Sequence, residues 1–145
     1  MSEIVKPEPF VFSIPPHTYM LFRKLQERLD ASTVSDAFVA ALLIVGDMID
    51  RWKLQEQPID FLRWYAAIVA RVERAAAAQC KLSGHETAIM CSLDLAPADH
   101  VTLAAVWRFF DIPLAVLPRR VIECAYYRVR QVQHRLPDDF PKPFP

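Results

Sequence analysis

The stretch 10–52, FVFSIPPHTYMLFRKLQERLDASTVSDAFVAALLIVGDMIDRW, limits the folds open to this chain more than any other. Phe10, Phe12 and Ile14 alternate with Val11 and Ser13, the period of a strand with one bulky apolar side. Pro15 and Pro16 stop that strand and pre-set the first turn of a helix. Tyr19, Phe22, Leu25 and Leu29 then recur at three- and four-residue spacing, with Arg23, Lys24, Glu27 and Arg28 on the other side. Thr33 and Asp36 form a capping pattern for a second helix, nearly all apolar over 37–45. Arg51 and Lys53 close it, cations near a helix C-terminus.

The rest of the chain echoes this opening. Residues 59–81 read as one long helix, with Phe61, Leu62, Tyr65, Ile68, Val69 and Val72 on one side. Ile89, Cys91, Leu93 and Leu95 alternate with Met90, Ser92 and Asp94 as a second strand, and Pro97 starts a helix that Pro113 breaks. After Pro118 a last helix carries Val121, Ile122, Ala125, Val129 and Val132 on one side. A constant shift of 81 positions lays Ile14 on Leu95, Pro16 on Pro97, Phe22 on Leu103, Leu25 on Val106 and Asp30 on Asp111. Beyond Asp111 the two copies diverge. At that shift Thr33 and Ser35 face Leu114 and Val116, so the second copy lacks the Ser/Thr cap.

Composition narrows the function classes. Seventeen basic residues balance seventeen acidic ones, so the basic excess of most nucleic-acid binders is missing. The three cysteines, Cys80, Cys91 and Cys124, lie far apart, and neither a disulfide framework nor a zinc site is expected. No signal peptide and no membrane span is expected, since the apolar run 37–46 is short and is followed by Asp47 and Asp50. These readings place the chain in the cytoplasm. His17, His85, His100 and His134 share no ligand spacing, and no Gly-rich phosphate loop or GxSxG occurs. No catalytic residue, metal or cofactor is assigned, and the chain is read as non-enzymatic.

The motif FVFSIPP, the amphipathic helix after it and the turn ASTVSDAF resemble the ribbon–helix–helix superfamily. The tandem single-chain form is similar to accessory and regulatory proteins of conjugative plasmids. The resemblance implies a mainly α fold with a short two-stranded antiparallel ribbon. In that fold 10–53 is the first unit, 54–85 a linking helix, 86–136 a second, degenerate unit and 137–145 a Pro-rich tail, all in one domain. The resemblance also implies a DNA-binding transcription regulator or DNA-processing accessory protein. Base-reading positions would be Val11 and Ser13 on one strand and Met90, Ser92 and Asp94 on the other. Phosphate would be met near Thr33 and Ser35, at a helix N-terminus. Groove readers lean on Arg, Lys, Asn and Gln, and none stands at these positions. The alternative is an adaptor or anti-activator that kept the fold and docks a protein. The expected partner is thus double-stranded DNA or a protein, and the chain a monomeric pseudo-dimer or a homodimer.

Two further groups have competing readings. Arg119, Arg120, Arg128, Arg130 and Arg135 share the last helix with a single acid, Glu123. They form either a phosphate-tracking face, with Arg119 and Arg120 as candidate DNA contacts, or a solvated helix side. Trp52, Phe61, Trp64, Tyr65 and Trp107 stand at helical spacing and are expected in the core.

Overall fold

The computed structural model describes residues 8–54, 59–83 and 88–133. Two strands and five helices follow in the order β1 (Glu8–Ile14), α1 (Pro16–Arg28), α2 (Val34–Lys53), α3 (Ile59–Ser83), β2 (Ile89–Leu95), α4 (Pro97–Phe110) and α5 (Leu117–Val132). The fold of the described residues is mainly α with one two-stranded antiparallel sheet. β1 starts two residues ahead of the alternation that begins at Phe10, and Pro9 is admitted because a two-stranded ribbon has only edge strands. α3 runs two residues past the expected end at Lys81. The last part of the final helix, from residue 134, and the tail 137–145 lie outside the described residues.

The strand register ties the two halves of the chain together. Val11 faces Ser92 at the centre, flanked by Phe12 with Cys91 and Phe10 with Leu93. The shift of 81 positions carries Val11 onto Ser92, so each strand's central residue faces its own counterpart. The same shift carries Pro16 onto Pro97, the first residues of α1 and α4, and Asp30 onto Asp111. Asp30 (φ 53°) and Asp111 (φ 51°) are both left-handed, a conformation in which Asp is among the better-tolerated residues after Gly. Beside Asp30 the Ala31 N–H reaches back to the Gln26 carbonyl at 3.0 Å and closes the helix end.

The two strand–helix segments part after that residue. α2 begins four residues beyond Asp30, whereas α5 begins six beyond Asp111. The longer connection contains Pro113, whose carbonyl accepts from the Val116 N–H at 2.9 Å. The two second helices therefore correspond at a shift of 83, which sets Thr33 on Val116 and Phe38 on Val121. Thr33 caps α2, its hydroxyl accepting from the Asp36 N–H at 3.1 Å. Val116 offers no such oxygen to α5.

A lone two-stranded ribbon is marginal in water. Here its inner side rests on α2: Phe38 sits 5.5 Å from Phe12, 5.9 Å from Phe10 and 6.4 Å from Phe22, ring centre to ring centre. α1 packs on α5, α4 on α2, and α2 on α5. α3 leans on α1 and α5, and near its start it joins a second aromatic group. There Phe109 lies 4.9 Å from Trp52 and 5.8 Å from Phe61. Phe61 and Trp64 are fully buried and Trp52 and Tyr65 half-buried, as expected. Trp107 departs from that expectation and lies exposed, because α4 turns it away from the aromatic cluster that Phe109 joins.

Candidate functional site

The ribbon's outer face collects five of the residues singled out from the sequence. Alternation along both strands points Pro9, Val11 and Ser13 outward opposite Asp94, Ser92 and Met90 respectively. Val11 is 56% exposed and Met90 74%. These two side chains give the face an apolar half at the Ser13–Met90 end. The other end is acidic through Asp94 on β2, while exposed Glu8, opposite buried Leu95, ends β1 on the inward parity of Phe10 and Phe12.

The start of α2 is built into that acidic end. The Ser35 hydroxyl accepts a hydrogen bond from the Asp94 N–H at 3.2 Å. Thr33 is committed to its own helix through Asp36. Both hydroxyls are therefore bound to backbone amides of this chain. Asp36 stands in the first turn of α2 and Asp99 in the first turn of α4, each complementing the positive end of its helix. Among the described residues, no Lys or Arg lies on either strand or in the first turn of α1, α2 or α4. Sequence reasoning missed Pro9 as a member of this surface and Asp36 beside it, at the start of α2. The strand alternation could have found Pro9, and the helix start could have found Asp36.

Arg119 and Arg120 lie elsewhere, in a partly buried ion cluster between α5 and α3. The Glu123 carboxylate, at 0% exposure, accepts from Arg120 Nη1 at 2.7 Å, from Arg119 Nε at 3.2 Å and from the Thr18 hydroxyl at 3.3 Å. Glu73 of α3 closes the cluster, with Oε1 accepting from Arg120 Nη2 at 3.0 Å. Arg119 Nη2 is 2.9 Å from the same oxygen, an ion pair by distance without hydrogen-bond alignment. The two arginine side chains are only 17% and 12% exposed. Burial pushes the Glu123 carboxyl up, against the pull of Arg120 and Arg119. Burial also disfavours charge on Arg120, and the two glutamates more than offset it. Nearby, burial and the charges of Arg119 and Lys24 hold the His17 imidazole below its usual value. Burial pushes the Tyr65 hydroxyl up to about 12, with smaller contributions from Cys124 and Glu123.

The remaining candidates are structural. Cys91 and Cys124 are free, buried thiols, raised in pKa chiefly by burial. Arg130 and Arg28 flank the Tyr126 ring at 5.7 and 5.8 Å, and Arg28 also donates to Gln133 at 2.7 Å. None of the described helices is long and apolar enough to cross a membrane. No family model, curated protein or solved structure matches this chain.

Proposed function

We propose that the chain is a tandem ribbon–helix–helix scaffold whose ribbon docks a protein. The observation that carries this reading is the outward row of the ribbon: Val11 exposed at the centre, Met90 exposed at one end, Asp94 at the other, and no Lys or Arg on either described strand. Non-specific DNA affinity comes mainly from Lys and Arg neutralising phosphates. Carboxylates at Asp94 and, beside it, Asp36 oppose a polyanion instead. They complement a protein surface with apolar anchors rimmed by Lys or Arg. The first-turn acids also occupy the favourable field at the starts of α2 and α4, where a phosphate would otherwise bind.

Duplex DNA, the use that the resemblance implies, is favoured by the shape alone. Two seven-residue strands centred on the facing pair Val11 and Ser92 form a ribbon of the kind that enters a major groove. Photo-crosslinking in the native cell separates the two. With a photoreactive side chain at position 11, 90 or 94 of the full chain, the expected product is a discrete protease-sensitive adduct. It is absent with the group at position 20 and lost on Asp94→Arg. A nuclease-sensitive adduct, or none from any ribbon position, overturns the proposal.

A further inference from the structure

The ends of α1 and α4 differ in a way that the strand–helix repeat does not require. At the shift of 81, Arg23, Lys24 and Glu27 on the exposed side of α1 become Ala104, Ala105 and Arg108 on α4. Val101, also exposed, extends this nearly uncharged strip towards the helix start. At its other end lies a depression of about 500 Å³ lined by Trp107, Arg108, Asp111, Ile112 and Pro113. The Trp107 indole is 40% exposed, yet its N–H donates to the Ile112 carbonyl at 2.7 Å. That bond fixes the ring as a rigid wall. Leu114, 43% exposed, stands immediately after the depression in the chain.

We propose that the C-terminal end of α4 and the turn after it form a self-complementary docking face for a second copy of this chain. One surface carries both halves of a contact: an apolar projection at Leu114, and a hollow walled by Trp107. It also carries one cation and one anion, Arg108 and Asp111, which make no ion pair with each other. A two-fold contact is isologous, so each residue meets the other's complement. Leu114 of one copy enters the hollow of the other, and Arg108 of each faces Asp111 of the other. Trp and Arg at the centre of a small apolar patch are the residue types that dominate binding energy at interfaces. A formal net charge of zero leaves no long-range repulsion between copies. The contact shares no residue with the ribbon and does not depend on what the ribbon binds.

Sedimentation equilibrium of the full chain tests this. At about 100 µM, well above the micromolar Kd expected of a small interface, the predicted species has twice the 16.7 kDa chain mass. Leu114→Glu and Arg108→Glu are each expected to weaken association at least tenfold with unchanged circular dichroism. Met20→Glu, at the position matching Val101 on α1, is expected to leave it intact. A wild-type chain that stays monomeric overturns the proposal. So does a dimer that survives both α4-end substitutions, or open-ended assembly that grows with concentration.

Discussion

Replacing Glu123 by Gln keeps the shape of the side chain and removes its charge. The two guanidinium groups it holds at 2.7 and 3.2 Å cannot reach water readily, since their side chains are only 12% and 17% exposed. Removing one partner of a buried pair costs about 3–5 kcal/mol, because a charge is left buried and uncompensated. Glu73 remains at 2.9 and 3.0 Å from the same two arginines, which sets the expected loss near the lower end, about 3 kcal/mol. For a domain of this size that corresponds to a fall in Tm of about 6–12 °C. Glu73→Gln is the companion measurement: its carboxylate is half exposed, and surface pairs contribute about 0–1 kcal/mol. Urea unfolding of the two variants gives the comparison, with m unchanged if only the native state is affected. A Glu123→Gln cost below about 1 kcal/mol would refute the reasoning. It would mean that the carboxyl is already protonated in the fold and pairs with neither arginine as an anion.

His17 and Asp30 supply two smaller tests. The imidazole of His17 is held below its usual value by burial, then by Arg119 and Lys24. The unfolded chain therefore binds a proton that the folded chain resists, and stability falls as pH drops below about 6.5. His17→Leu is expected to flatten that part of a stability–pH curve, and an unchanged slope would remove His17 as its source. Asp30 holds φ 53° at the end of α1. Asp30→Gly is expected to be neutral or stabilising in thermal melts, and Asp30→Val to cost about 1–2 kcal/mol. Equal effects of the two would show that the left-handed turn is not retained.

Much of the scaffold is legible from residue order because it rests on local chemistry. The period of two in 10–14 and 89–95, the prolines at 16 and 97 and the Thr33 cap each act over a few residues. Even the pairing of 10–14 with 89–95 is foreshadowed, since both stretches alternate with one bulky apolar side. What the sequence hides depends on contacts between remote segments. Glu123 reads as the lone acid of a basic helix, yet Thr18 and Glu73 from other elements make it the centre of a buried cluster. Arg119 and Arg120 are drawn inward for the same reason. Trp107 looks like a core aromatic by type, and only the path of α4 over α2 turns it outward. The two extra residues before α5 are visible in the text of the sequence, but their effect on register appears only once both helix starts are known.

The charge of the ribbon's outer face carries the functional reading, and titration of a labelled duplex with the full chain at low salt measures it most directly. The account predicts no anisotropy change for the wild type up to about 100 µM, the weaker limit of ordinary non-specific binding. It further predicts that Val11→Arg with Met90→Arg, which place two cations on that face, gains salt-dependent affinity. Wild-type binding that weakens steeply with added salt, and that is lost on Ser13→Glu, would contradict it.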